Sequence, residues 1–114
     1  TEDEKAVRKN EIQKATKYAI EVPFNVMQLS FDSMTVIKAM AEQGNPNSVT
    51  DACVGALCAR TAVLGAFMNV KINASGYDDK TFVNEILSKG KEIEKKAIAL
   101  EAEIINITDG KIGN

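Results

Sequence analysis

Apolar residues recur along most of this chain at alternating spacings of three and four, the periodicity of helices that bury one face. The first such stripe comprises Ile12, Ala15, Ala19, Val22, Val26, Leu29, Val36, Ile37 and Met40. Pro23 interrupts it, because proline lacks a backbone donor and disfavours helical geometry at the preceding residue. Either one helix kinks at Pro23, or one helix ends near Glu21 and another begins with Pro23 in its first turn.

The middle of the chain predicts a second helix of unusual composition. Residues 52–70 are almost wholly apolar and rich in Ala and Gly, small residues that let neighbouring helix backbones approach closely. Arg60 at the centre makes a membrane span costly, by roughly 2.5–3.5 kcal/mol on insertion scales. We therefore expect a buried central helix surrounded by others.

A last helix is predicted from Phe82 to about Ile107, with Asp78 or Asp79 as its cap. Its apolar positions form a heptad stripe of Val83, Ile86, Gly90, Ile93, Ala97, Leu100, Ile104 and Ile107. No segment shows the alternation typical of a strand. The sequence thus predicts a single all-α domain over residues 1–114, either a helical bundle or an orthogonal array of long helices.

Local signals mark the other helix ends. Thr1 and Glu4 fit a capping box, so the first helix should begin at once. Gly44 should end the helical run that follows, and Ser48 with Asp51 resembles a second capping box.

Composition excludes several functions. With 14 basic and 16 acidic residues the net charge is −2, so neither nucleic acid nor a membrane is expected as partner. The absence of histidine removes the commonest general base and metal ligand. Cys53 and Cys58 point about 140° apart on a helix and cannot bridge, so we interpret both as small buried hydrophobes of a reducing, cytoplasmic compartment.

The turn "GNPNSVTDA" at residues 44–52 carries more hydrogen-bonding groups than a connector needs. One interpretation is purely local: Asn45 and Asn47 bind the backbone and Ser48 caps the helix. The other is a binding role, since a helix N-terminus also offers free N–H groups to a polar or anionic ligand. Both interpretations stay open on the residues alone.

The stretch "GNPNSVTDACVGALCARTAVLGAFMNVKIN" resembles the formiminotransferase-cyclodeaminase family, in the part that also forms the methenyltetrahydrofolate cyclohydrolases. Upstream, "EKAVRKNEIQKATKYAIEVPFNV" resembles the basic, alanine-rich helix of that family, which ends in a "VP" step. The resemblance implies a folate one-carbon enzyme. Its substrate loses ammonia from a formimino group or is opened by water at a methenyl bridge, through general acid–base catalysis. No cofactor or metal is expected.

The same resemblance implies that this chain is the carboxy-terminal part of a longer domain. The family's glycine-rich "PGGGS"-type loop and its proposed proton acceptor would lie before Thr1, so no catalytic residue is expected here and the chain alone should be inactive. The substrate-binding residues implied are Asn45, Asn47, Ser48, Asp51, Asn69 and Arg60. Arg60 is a candidate first for a buried ion pair and second for a folate carboxylate. Asn69, with Asn73 one turn later, could bind ligand or fasten the following loop.

An alternative from another class is a non-catalytic helical module whose heptad face mediates assembly. Both hypotheses predict a homodimer or higher homo-oligomer, because helices this apolar should leave an uncovered surface.

Overall fold

The computed structural model describes residues 1–113 and contains three α-helices. They are α1 (Glu2–Gln43), α2 (Val49–Ala74) and α3 (Lys80–Lys111), with a 3-10 turn at Pro46–Ser48 between the first two. No strand occurs in this part of the chain, which confirms the all-α class. The molecule measures 71 Å by 19 Å by 16 Å, so the helices form an elongated bundle rather than an orthogonal array.

Three of the predicted helix ends are confirmed. The Glu4 backbone N–H donates to Thr1 Oγ1 at 3.2 Å and completes a capping box at the start of α1. Gly44 follows the last residue of α1, and its N–H donates to the carbonyl of Met40 at 2.8 Å. Asp79 Oδ1 accepts from the Phe82 N–H at 3.1 Å and begins α3.

Pro23 lies inside α1, which continues through it as one helix. The alternative of a new helix beginning at Pro23 is therefore wrong. Because proline has no N–H, the carbonyl of Ala19, four residues earlier, loses its intrahelical partner. Asn73 of α2 supplies a substitute, since its Nδ2 donates to the Ala19 oxygen at 3.4 Å. The hydrogen bond that Pro23 removes from α1 is thus replaced by one from a side chain of α2.

The face of α1 that packs inward is not the predicted stripe. The buried residues are Ile20, Met27, Met34 and Ala41, spaced by seven, with Phe24 and Phe31 packed beside them. Most of the large residues of the predicted stripe are exposed: Ile12, Val22, Val26, Leu29, Val36 and Met40. The helix is apolar on two faces, and the face with the larger Met and Phe side chains fills the core. Periodicity alone could not choose between them.

The core lies along α2, where Val63, Phe67 and Val70 are buried against α1 and α3. Buried small residues accompany them on this side: Ala56, Ala59, Ala66 and Ala74. The opposite side of α2 is open within residues 1–113, with Met68 61% and Ile72 71% exposed. The prediction of a helix surrounded by others is therefore wrong for one side, because α1 and α3 both pack against the other side of α2.

The two cysteines are less buried than the sequence predicted. Both cysteines are free, but Cys58 is exposed and Cys53 only half-buried, so the prediction of buried thiols is wrong for Cys58.

The segment Pro46–Ala74 is the one helix in the described residues long and apolar enough to cross a membrane, and a third of its most apolar window is buried.

The heptad stripe of α3 is confirmed. Six of its eight residues are buried, and Leu100 and Ile107 are half-buried against the same core. Gly90 is the position of closest approach, because a Cβ placed there would lie less than 3.0 Å from three ring atoms of Phe67.

Polar contacts fix both ends of the bundle. Gln13 binds the α2–α3 connection from α1, donating to the Gly76 carbonyl at 3.1 Å and accepting from the Asp78 N–H at 2.9 Å. At the other end, Lys38 pairs with Glu103 of α3. The hydrogen bond that Lys38 donates to Glu103 raises the pKa of Lys38 above its ordinary value, although desolvation acts in the opposite direction.

Gly90→Ala should lower the free energy of unfolding by about 1–3 kcal/mol, because the new methyl group would displace the buried Phe67 ring. Helix propensity alone predicts the opposite sign, a gain of up to about 1 kcal/mol. Urea denaturation followed by circular dichroism measures the difference. Gly110→Ala is the matched control, since a Cβ there meets no heavy atom within 4 Å among the described residues. Equal effects of the two substitutions would contradict the close contact.

Candidate functional site

The polar corner, residues 44–51, lies at one end of the bundle between α1 and α2. Its local hydrogen bonds make a tight turn: Asn45 Oδ1 accepts from the Asn47 N–H at 3.0 Å, and the Asn45 carbonyl accepts from the Ser48 N–H at 2.9 Å. This confirms the turn-forming role of Asn45. Ser48 precedes α2, but its side chain makes no capping hydrogen bond within residues 1–113. The predicted Ser48 cap is wrong because the 3-10 turn holds Ser48 at φ −112° and ψ 13°, outside the extended geometry of a capping serine.

Three other side chains of the corner make no hydrogen bond within residues 1–113. Asn47, Ser48 and Asp51 are exposed, and their polar side-chain atoms take no partner elsewhere in the described chain. They surround the first turn of α2, where the Val49 N–H already donates to the Pro46 carbonyl of the 3-10 turn. The corner can therefore present both donors and acceptors to an outside molecule.

A groove of about 630 Å³ runs between α1 and α2 near the opposite end of the bundle. Its lining is mostly apolar and comprises Tyr18, Ala19, Val22, Pro23, Val26, Ala62, Gly65, Ala66, Asn69 and Asn73. The groove thus combines apolar walls with three polar side chains, the composition and size usual for small-molecule sites.

The two asparagines of this groove are held by backbone. Asn73 Nδ2 donates to the Asn69 carbonyl at 2.9 Å as well as to Ala19, and Asn69 Nδ2 donates to the Gly65 carbonyl at 3.4 Å. These bonds use the amide nitrogens, and the carboxamide oxygens accept no hydrogen bond within residues 1–113, so they can accept one from a ligand. The following loop is fastened by Gln13 and not by these residues.

Arg60 makes the ion pair that the sequence suggested. Its Nη1 donates to Glu101 Oε1 at 3.0 Å, and Glu101 is buried on α3. The Arg60 Nε is also buried and lacks a partner within the described residues. A second groove, of about 430 Å³, passes over this pair on the α3 side of α2. A folate carboxylate contact at Arg60 stays a prediction.

The six predicted binding residues do not converge in one copy of the chain. Ser48 and Asn69 are 21 residues apart along α2, a separation of about 32 Å. Arg60 lies between them but lines the groove on the other flank of the helix. The corner and the α1/α2 groove are therefore two separate surfaces of a single copy, and their role in binding folate stays a prediction.

Sequence reasoning missed Tyr18 and Pro23 as groove residues. The signal was present at Pro23, because a proline inside a helical stripe marks a carbonyl that needs an outside donor. Tyr18, 70% exposed, carried no such signal. Within residues 1–113 no group of three or more metal-ligating side chains is found.

Fold and groove together define an all-α bundle with an open apolar groove edged by carboxamides. The chain belongs to the formiminotransferase-cyclodeaminase family, whose model matches residues 1–92. It is 34% identical over 112 residues to a methenyltetrahydrofolate cyclohydrolase of Methylorubrum extorquens, covering 98% of this chain and 54% of that protein. It is also 32% identical over 100 residues to a formimidoyltransferase-cyclodeaminase of Dictyostelium discoideum, covering 88% of this chain and 19% of that protein.

A further relative is the formimidoyltransferase-cyclodeaminase of Gallus gallus, 33% identical over 85 residues, or 75% of this chain and 16% of that protein. The chain therefore spans about half the length of the cyclohydrolase and a smaller share of the two bifunctional relatives. The family expected from the "NPNSVTDA" turn and the "NVKIN" segment is confirmed.

Asn73→Ala should cost about 0.5–1.5 kcal/mol of unfolding free energy, because the Ala19 carbonyl loses its donor. In a Pro23→Ala background the same substitution should cost much less, since residue 23 then supplies the N–H itself. Urea denaturation of the four variants gives the coupling energy. An equal cost in both backgrounds would show that the Asn73 bond does not compensate for Pro23.

Arg60→Met should lower the unfolding free energy by about 1–3 kcal/mol, because the buried Glu101 carboxylate loses its partner. Replacing both residues, as Arg60→Met with Glu101→Leu, should recover most of that loss. Thermal and urea unfolding measure both effects. If the double variant were as unstable as the single one, packing of the arginine stem and not the ion pair would be responsible.

Proposed function

We propose that this chain is the carboxy-terminal part of a folate one-carbon enzyme, a cyclodeaminase or methenyltetrahydrofolate cyclohydrolase, and that it supplies substrate-binding surface. The observation that carries the proposal is the 34% identity to a methenyltetrahydrofolate cyclohydrolase over 98% of this chain. The proposed reaction is loss of ammonia from 5-formiminotetrahydrofolate, with N10 closing on the formimino carbon, or opening of the 5,10-methenyl bridge by water.

The groove between α1 and α2 supports this proposal through its chemistry. A reduced pterin contains a planar pyrimidinone ring edged by N–H donors and by nitrogen and oxygen acceptors. Apolar walls at Val22, Pro23 and Val26 can pack against such a ring, while the free oxygens of Asn69 and Asn73 accept from its N–H groups. The backbone bonds to both amide nitrogens fix those oxygens in position before a ligand arrives.

The chain is proposed to bind and orient the substrate, with the proton acceptor supplied from outside residues 1–114. A relative of which this chain matches 54% leaves room for that acceptor elsewhere in the protein. Of the six residues that the sequence singled out, Asn69 belongs to the groove, and Asn45, Asn47, Ser48 and Asp51 belong to the corner. Arg60 is assigned to the ion pair with Glu101.

Asn69→Ala should weaken binding of 5,10-methenyltetrahydrofolate about tenfold, the loss expected for one hydrogen bond to a polar ring. Equilibrium dialysis with the absorbance of the ligand measures the affinity, which suits a chain without Trp. Asn84→Ala, an exposed position of α3 away from the groove, is the matched control and should bind like the wild type.

The same samples test whether this chain binds the substrate but does not catalyse the reaction. The chain alone should bind the ligand without accelerating its hydrolysis. Absence of binding by the wild-type chain would remove the proposed function. Turnover by the chain alone would show that it contains its own proton acceptor.

A further inference from the structure

Gly65 lies near the middle of α2, and both the α1/α2 groove and the groove over Arg60 reach it. It lines the first groove together with Asn69 and the second together with Met68. Around the helix, Asn69 lies about 40° from Gly65 in one sense and Met68 about 60° in the other. The two grooves are therefore neighbours, and Gly65 is the place on α2 where one borders the other.

The packing of residues 1–113 does not require a glycine at position 65. The residue is exposed, and a Cβ there would meet no heavy atom within 4 Å among these residues. Gly90 differs, because a Cβ at that position would collide with the Phe67 ring. Glycine inside a helix is destabilising relative to alanine, and one use of it is the close approach of backbone to a ligand. Gly65 thus forms a notch in the outer surface of α2 that joins the two grooves.

The groove over Arg60 has the chemistry to hold an apolar ring followed by an anion. It has a volume of about 430 Å³, and Leu57, Leu64 and Met68 supply apolar walls. Arg60 donates to Glu101 through Nη1, whereas its Nε is buried without a partner within residues 1–113. A guanidinium has five N–H donors, so Arg60 can bind Glu101 and a second carboxylate at once. The charge of Glu101, which also lines this groove, is balanced by the same ion pair.

The polar groups of the two grooves match the two ends of a folate in kind and in order. A folate has a hydrogen-bonding pterin at one end, the carboxylates of glutamate at the other, and a flat p-aminobenzoyl ring between them. Asn69 and Arg60 are nine residues apart, about 14 Å along α2 and half a turn around it. Gly65 lies between them in both directions. A ligand that contacts both residues must therefore cross α2 beside Gly65.

We propose that the substrate lies across α2 at Gly65, with its pterin in the α1/α2 groove and its p-aminobenzoylglutamate in the groove over Arg60. This inference rests on the proposed function, because it names a second subsite for the same ligand. Arg60 then binds Glu101 through Nη1 and donates from its other N–H groups to a carboxylate of the glutamate. The absence of a side chain at Gly65 lets the middle of the ligand pass close to the helix backbone.

Two fragments of the ligand test the two subsites separately. Both p-aminobenzoylglutamate and 6-methyltetrahydropterin should bind the wild-type chain, as measured by equilibrium dialysis and ultraviolet absorbance. Each fragment should be displaced by 5,10-methenyltetrahydrofolate but not by the other fragment. Binding of the intact ligand without binding of p-aminobenzoylglutamate would overturn the second subsite, and so would displacement of that fragment by the pterin.

The double variant Arg60→Met with Glu101→Leu tests the guanidinium, because it removes both members of the ion pair together. Its affinity for p-aminobenzoylglutamate should fall about tenfold, the loss expected for a charge-assisted hydrogen bond, while its affinity for the pterin fragment should not change. Lys38→Met with Glu103→Leu removes an ion pair between α1 and α3 and is the matched control, which should bind both fragments like the wild type. Equal affinity of the wild type and the Arg60 double variant for p-aminobenzoylglutamate would overturn the carboxylate contact.

Gly65→Val tests the crossing, since the new side chain has room within the described chain and should not lower helicity. It should weaken binding of 5,10-methenyltetrahydrofolate at least about tenfold more than binding of either fragment, because only the intact ligand passes over the notch. Gly110→Val, equally open on α3, is the matched control and should bind all three ligands like the wild type.

The outcomes separate this inference from the proposed function. If Gly65→Val bound the intact ligand as tightly as the wild type, the crossing would be wrong and the proposed function would stand. If the variant changed in molar mass and not in affinity, protein and not ligand would cover the notch, which also overturns the crossing. If the wild type bound neither the intact ligand nor a fragment, the proposed function would fail and this inference with it.

Discussion

The packing of α1 and α3 onto the same side of α2 is the constraint on which the rest of the structure depends. α2 is apolar around nearly its whole circumference, yet its neighbours cover only the side of Val63, Phe67 and Val70. The contact with α3 is close because Gly90 leaves space for the Phe67 ring. With both partners on one side, the side of α2 that carries Met68 and Ile72 stays open, and a groove forms on each flank of it. The candidate binding surfaces thus result from how the core is filled.

Backbone hydrogen bonding links the core to the candidate site. Pro23 leaves the Ala19 carbonyl without a helical donor, and the Asn73 side chain provides one from the neighbouring helix. The same bond orients the carboxamide of Asn73, a residue that lines the groove. The hydrogen bond that is missing in α1 therefore positions the Asn73 carboxamide of α2. Pro23 itself forms part of the apolar wall of the same groove. In this family member, the "VP" step has a structural explanation.

Sequence alone predicted the helical class, the start of α1, a cap for α3 at Asp78 or Asp79, and the inward face of α3, since each depends on local signals or a single clear stripe. It failed for α1, because Val26 and Met27 belong to two equally plausible apolar stripes and the pattern does not indicate which of them is buried. It failed for Ser48 because a short 3-10 turn, invisible in the pattern, sets the backbone geometry. Asn69 and Asn73 were singled out from the sequence and line the α1/α2 groove, and their role in binding stays a prediction. That Tyr18 of α1 lines the same groove could be seen only in the structure.

The slender shape of the molecule has a practical consequence. A radius of gyration of 18.8 Å far exceeds the value of about 13 Å expected for a compact chain of this size. A rod 71 Å long experiences more friction in solution than a sphere of the same 12.3 kDa, and it tumbles slowly about its short axes. A single chain should consequently elute early from a gel-filtration column and resemble a larger globular protein there. Column calibration with globular standards would overstate its size, whereas fluorescence anisotropy decay should resolve separate correlation times for end-over-end rotation and for spinning about the long axis.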